Sequence, residues 1–216
     1  MQQIYAIRVK YNKVNKEFEI RGLVEKIIIS VLTAYLLGSL PTGVWLSRRF
    51  WNIDIRDLGD GNTGARNVNH VLGWKAGILV ALVDFAKGAL AVIIAKKLGI
   101  SPTNQLIAGI AAVIGHDFPV FAGFKGGQGM STSLGSMGAL FTIETFNGLA
   151  IFGLLYLITR HFDISASAGL GTLAWLVWRS GRPAIFLLYI VLLFLTIPLK
   201  KFLDFRVRKS KLIHSL

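Results

Sequence analysis

Residues Ile27 to Leu46 run for twenty positions without a charged side chain, enough helix to cross a hydrocarbon core of about 30 Å. Further apolar runs follow at Ala76–Ala95, Leu134–Thr159, Ile164–Trp178 and Pro183–Leu199, the first broken only by Asp84 and Lys87. Uninterrupted blocks of this length are membrane spans rather than the core of a water-soluble domain. Composition agrees: 53% of residues are hydrophobic beside 23 glycines, and mean hydropathy is +0.58. Net charge is +13, a balance that fits nucleic acid or an anionic membrane surface. The apolar blocks decide for membrane lipids and against nucleic acid, since a basic residue just outside a span gains roughly 1 kcal/mol from anionic lipid. The absence of cysteine excludes disulfides, thiolate metal sites and thiol catalysis.

The expected architecture is all-α, a polytopic transmembrane helix bundle of about seven spans with two glycine-rich cytoplasmic loops. Ile27–Leu46 is read as one span. Leu106–Gly115 is only ten residues long, the length of a re-entrant or buried segment unless Phe118–Phe124 extends it. Leu134–Thr159 is too long for one average span and is read as two helices with a turn near Glu144–Gly148. Three regions are expected: a polar, basic extension over 1–22, a transmembrane domain over 23–199 and a basic tail over 200–216, the tail anchoring on lipid. No cleavable signal is evident, because the first apolar stretch continues as a full span.

Lysine and arginine counts set the orientation. With the tail inside, the inner side carries Arg48, Arg49, Arg56, Arg66, Lys75, Lys125 and Arg160 plus six cations of the tail, against four outside, Lys96, Lys97, Arg179 and Arg182. The cations Arg8, Lys10, Lys13, Lys16 and Arg21 oppose this, which a translation start near Leu23 or Val24 would explain.

Two polar interruptions stand out. The first reads Leu58-Gly-Asp-Gly-Asn-Thr-Gly-Ala-Arg66-Asn67. Its glycines Gly59, Gly61 and Gly64 permit positive φ, so successive N–H groups can face one concavity and bind an anion. Arg56 and Arg66 add charge. The second runs from Gly115 to Gly129, with Lys125 among Gly123, Gly126, Gly127 and Gly129, and Ser131, Thr132 and Ser133 opening the next apolar helix. Hydroxyls and free N–H groups at a helix N-terminus suit phosphate. The spacing is not that of a Walker A loop. Glycines between membrane helices also serve packing alone, but two such loops on the inner side point together to a phosphorylated substrate at the membrane surface.

The order Gly38-Ser39-Leu40-Pro41-Thr42-Gly43, then Gly59-Asp-Gly-Asn-Thr-Gly-Ala-Arg66-Asn67, then Gly115-His116-Asp-Phe-Pro-Val-Phe121 and Phe124-Lys125-Gly-Gly-Gln-Gly129 resembles the bacterial acyl-phosphate-dependent glycerol-3-phosphate acyltransferases. The likeness covers roughly Ala34 to Gly135, and Asp84 and Lys87 fall on the family's Asp-Phe-x-Lys-Gly element. The resemblance implies seven spans in a bacterial plasma membrane, a cytoplasmic active site, and acyl transfer from acyl phosphate to glycerol 3-phosphate, giving lysophosphatidic acid. It implies no metal or cofactor and no conventional nucleophile. None of His70, His116 and His161 begins the His-x4-Asp pair of other glycerolipid acyltransferases. The donor carries its own leaving group, so the protein must mainly position two anions and stabilise charge.

The residues expected at substrate and phosphate are Ser39, Thr42, Gly59, Gly61, Asn62, Gly64, Arg66, Asn67, His116, Lys125, Gly126, Gly127 and Gly129, with no catalytic residue singled out. His116 is read either as a general base or as the residue that holds the second loop. Asn62 and Asn67 are read either as substrate contacts or as turn staples. Asp84 is expected to face the bundle interior and make a structural bond to Lys87 or to a polar loop. The chain departs from the family pattern at Asp60, Arg66, His70 and Gln128, and Leu199–Lys209 replaces the family's C-terminal His-Arg-x-Asn motif. The alternative function is therefore a divergent member, non-catalytic or using a different acceptor, that binds an anionic lipid or phosphorylated metabolite.

Overall fold

A computed structural model describes residues 2–214, with side chains over 15–204. Regular structure among them is entirely helical. The helices are α1 (Gln2–Gly38), α2 (Thr42–Trp51), α3 (Ala65–Leu72), α4 (Trp74–Lys97), α5 (Pro102–Asp117), α6 (Met130–Leu140), α7 (Thr142–Thr159), α8 (Phe162–Arg179) and α9 (Ala184–His214). Two 3-10 turns, Ile55–Asp57 and Val120–Ala122, lie in the polar loops. Among the described residues, five stretches are long and apolar enough to cross a membrane: Asn15–Trp51, Trp74–Lys97, Pro102–Ala122, Thr142–Thr159 and Ala184–Asp204. Arg8, Lys10, Lys13 and the tail beyond Asp204 have side chains outside the described residues.

Two expected boundaries are corrected. Ile27–Leu46 is not one helix: α1 stops at Gly38, and α2 restarts at Thr42 behind Pro41. Proline lacks the N–H that would continue the ladder, and its fixed φ suits a helix start. The turn between α6 and α7 falls at Phe141 (φ −136°, ψ 67°), not at Glu144–Gly148. Glu144 instead lies in the first turn of α7 and accepts a hydrogen bond from Arg182 Nη2 at 3.1 Å, tying that turn to the α8–α9 connection. Gly148 sits inside α7, packed on Gly169 of α8. The ten-residue apolar run in α5 is lengthened at both ends, from Pro102 to Asp117.

Small residues set how closely the helices approach. A Cβ at Gly135 of α6 would collide with the Phe85 carbonyl of α4, and one at Gly88 of α4 with the Thr132 carbonyl of α6. Gly38 and Gly115 do the same for α1 against α5. A separate core of Leu106, Met137, Phe141, Leu173, Phe186 and Tyr189 joins α5, α6, α8 and α9. The Tyr189 hydroxyl donates to Ser136 Oγ at 2.8 Å, which donates to the Ser133 carbonyl at 2.8 Å, so the polar atoms of this core are paired. Outward faces are apolar, with Leu32, Leu79, Leu82 and Leu192 exposed, and all five tryptophans are exposed. Such a surface is compatible with lipid around it and not with water.

Candidate active site

The break between α1 and α2 lies over a buried charge cluster. Lys87 and Asp84, one turn apart on α4, pair at 2.9 Å with side chains 4% and 2% exposed. Lys87 Nζ also donates to the Leu40 carbonyl at 3.1 Å, a group freed when α1 ends. Thr42, first residue of α2, donates to Asp84 Oδ1 at 3.1 Å, and His116 Nδ1 lies 3.7 Å from the same oxygen. Of the partners open to Asp84, Lys87 is the one that pairs with it, and the pair organises Thr42 and His116. Ser39 sits beside this cluster, fully buried, and its hydroxyl has no partner among the described residues.

The second loop closes over His116. Gly127 N donates to the His116 carbonyl at 3.1 Å, and a Cβ at Gly127 would collide with His116 Nε2. A Cβ at Gly126 would strike the His116 carbonyl. His116 thus holds the loop. Gly129 is the N-cap of α6 at φ +67°, which favours glycine, and it rests on the Asp117 carboxylate. Among the described residues no side chain caps α6, so its first N–H groups stay available, and the buried hydroxyls of Thr132 and Ser133 have no partner there. Uncapped N–H groups beside unpaired buried hydroxyls can hold an anion. Lys125 is exposed at the rim.

The first loop is knit mainly to itself. Asn67 Nδ2 donates to the carbonyls of Ile55, Leu58 and Asn62 at 3.2, 3.0 and 2.9 Å, while its Oδ1 accepts from Asp60 N at 2.9 Å. Asn62 Oδ1 accepts from Gly64 N at 2.7 Å. The asparagines are staples here, and Gly59 and Gly64 leave room for them, since a Cβ at either would crowd an asparagine Oδ1. Gly61 has φ +66°. Arg66 is exposed on the first turn of α3. Asp60 pairs with neither Arg56 nor Arg66 among the described residues; its Oδ1 accepts from Asn62 N at 3.0 Å.

Arg56 joins the two loops, a role its loop position alone does not signal. Its Nη1 donates to the Ala122 carbonyl at 3.0 Å, and its other nitrogens chelate Asp54. Those hydrogen bonds from Arg56 hold the Asp54 carboxyl well below the usual carboxylate range, against a smaller effect of burial, and Arg48 adds a further bond. Thr42 and His116 meet Asp84, Ser39 precedes the Leu40 carbonyl that Lys87 holds, Gly126 and Gly127 close on His116, and Gly129 rests beside Asp117. Gly59, Gly61, Asn62, Gly64 and Asn67 shape the neighbouring loop, which packs on α2 where Thr63 meets Gly43. Among the described residues no three metal-ligating side chains converge.

The chain is similar to known proteins over most of its length. A family described as glycerol-3-phosphate acyltransferase matches residues 28–204. A glycerol-3-phosphate acyltransferase of Enterococcus faecalis is 43% identical over 162 residues, 74% of this chain and 75% of that one. The crystal structure of PlsY, an integral membrane glycerol 3-phosphate acyltransferase, in its glycerol 3-phosphate form, matches with TM-score 0.72 at 30% identity, covering 88% of this chain and 92% of that one. Its lysophosphatidic acid form matches with TM-score 0.70 at 29% identity, over the same shares.

Proposed function

The chain belongs to the glycerol-3-phosphate acyltransferase family, and from that premise we propose that it transfers an acyl group from acyl phosphate to glycerol 3-phosphate, releasing inorganic phosphate and forming lysophosphatidic acid. The observation that carries the reading is the match over residues 28–204 together with solved relatives in a glycerol 3-phosphate form and a lysophosphatidic acid form. The site's chemistry supports it. The acceptor oxygen attacks the acyl carbonyl, the bond to the phosphate breaks, and the acceptor proton leaves with phosphate or solvent. The protein's task is then to align two anions and to stabilise the developing oxyanion. Ser39, Thr132 and Ser133 offer unpaired hydroxyls, and α6 offers N–H groups, in a setting where water is scarce and each hydrogen bond counts for more. Lys125 and Arg66 supply exposed cations for the outer oxygens of phosphate.

The membrane arrangement follows from the same reading. Counting the short α6 and the 18-residue α8 with α1, α4, α5, α7 and α9 gives seven crossings of a bacterial plasma membrane. Both loops and the tail then face the cytoplasm, the side favoured by lysine and arginine. The chain has no cysteine, so single cysteines replacing Asp57 and Lys97 report sidedness cleanly. In inside-out vesicles an impermeant maleimide is expected to label the first and not the second; the reverse pattern rejects the orientation. Function is tested by phosphate release from palmitoyl phosphate with glycerol 3-phosphate, dihydroxyacetone phosphate or glycerol as acceptor. Release that depends on glycerol 3-phosphate supports the assignment, and release only with another acceptor reassigns the substrate.

A further inference from the structure

A lysine near the end of a spanning helix ordinarily runs its stem outward and places the ammonium in the headgroup region. Lys200 of α9 does the opposite. It is 5% exposed, whereas Lys201 beside it is exposed. Its Nζ lies 5.0 Å from the centre of the Phe118 ring and pairs with Asp204 one turn on. The tail's first cation is thus turned into the protein rather than anchored on lipid, contrary to the expectation for the basic tail.

Its position is specific. Phe118 opens the second glycine loop, and its carbonyl is fixed by the Tyr35 hydroxyl at 3.0 Å. The preceding residue, Asp117, is buried, carries a carboxylate oxygen with no hydrogen-bond partner among the described residues, and supports Gly129 at the start of α6. Lys200 against Phe118 and the uncapped N-terminus of α6 against Asp117 therefore meet two adjacent residues at the start of the second loop, from opposite elements. An ammonium has three protons. Asp204 takes one, and the Phe118 face stabilises the charge without accepting a conventional hydrogen bond. Asp204 is 31% exposed, so the pair is reached by solvent from its side.

We propose that Lys200 is a phosphate-positioning cation that α9 delivers to the second glycine loop, with Asp204 holding the ammonium until a substrate phosphate replaces it. The proposal rests on the acyl-transfer reading above. Phosphate is the shared chemistry of donor, acceptor and released product, and kinetics with each substrate varied in turn identify which phosphate Lys200 meets. The C-terminal segment that departs most from the family pattern would in this way still contribute a cation to the site.

The test uses the full chain purified in detergent, with wild type, Lys200→Met, Lys200→Arg and Asp204→Asn compared. Lys200→Met is expected to raise KM for one phosphorylated substrate at least tenfold with a smaller change in kcat. Lys200→Arg is expected to restore most of that loss, and Asp204→Asn to lower the same KM, because it frees the ammonium. Inorganic phosphate is expected to raise the Tm of wild type and Asp204→Asn and not that of Lys200→Met. The proposal is overturned if Asp204→Asn raises KM as Lys200→Met does, since the pair is then structural. It is equally overturned if Lys200→Met keeps both KM values within twofold. If Lys200 merely neutralises Asp117, the double variant Asp117→Asn/Lys200→Met regains the wild-type KM, which also rejects the proposal. A wild type inactive with every acceptor would instead reject the acyl-transfer reading.

Discussion

Asp84 and Lys87 form an ion pair of 2.9 Å, one turn apart on α4, with both side chains nearly sealed from solvent. Neither is isolated. The Lys87 ammonium also takes the Leu40 carbonyl left open where α1 ends, and the carboxylate takes the hydroxyl that starts α2. The pair therefore holds the Ser39–Pro41 break in place, and through His116 it reaches the second loop. Breaking a buried pair by removing one partner costs about 3–5 kcal/mol, because the other charge is left uncompensated. Asp84→Asn and Lys87→Met are each expected to lower stability in detergent by roughly that amount. The double variant should cost much less than the sum. Additive losses would show that the two charges act independently.

Lys125 and Asn67 should separate affinity from folding. Lys125 is exposed and pairs with no acidic residue among those described. Lys125→Ala is expected to leave Tm unchanged and to lower kcat/KM by about 10- to 100-fold, the equivalent of one charge-assisted hydrogen bond. Asn67 is buried under three carbonyls and one amide. Asn67→Leu is expected to cost about 1–3 kcal/mol of stability through the groups it leaves unpaired. Thermal unfolding alongside initial rates checks both.

The helix contacts predict sharp intolerance at small residues. Gly135 abuts the Phe85 carbonyl, and a backbone atom cannot rotate away as a side chain can. Gly135→Val is expected to destabilise by at least about 1–3 kcal/mol, the usual cost of overpacking, and to reduce activity by displacing α6 and its N-terminus. Gly171→Ala, where nothing lies within 4 Å, is the control and should be close to neutral.

Acid should weaken the link between the loops. Arg56 and Arg48 lower the folded-state affinity of Asp54 for a proton relative to an unfolded value near 3.9. A depressed carboxylate contributes stability that is fully present above the unfolded value and is lost as pH falls toward the folded one. Asp54→Asn is therefore expected to lower Tm at pH 7, with the gap to wild type closing progressively below about pH 4. A gap independent of pH would remove the charge from the explanation.

The membrane character and the position of most helices were legible because apolar length is a strong signal and needs no tertiary context. The two misplaced breaks show where it fails. Pro41 interrupts an apolar run without changing its hydropathy, so Ile27–Leu46 reads as continuous although the helix ends at Gly38. Glu144 looked like a turn residue because its partner, Arg182, lies 38 positions away. The glycine loops were legible from composition. What each polar residue does within them was not: Asn62 and Asn67 spend their hydrogen bonds on the loop itself, and Arg56 bridges to Ala122 across 66 positions. Lys200 was hidden for a related reason, since a cation in a basic tail gives no sign of which way it turns.

Acyl transfer at the α6 N-terminus beneath the second loop is measured by following labelled glycerol 3-phosphate into lipid. Purified wild-type chain with palmitoyl phosphate is expected to convert the label to lysophosphatidic acid in step with phosphate released. The Thr132→Val/Ser133→Ala variant, folded by its Tm, is expected to lose at least tenfold in that rate. Background conversion by wild type, or conversion undiminished in the variant, would contradict it.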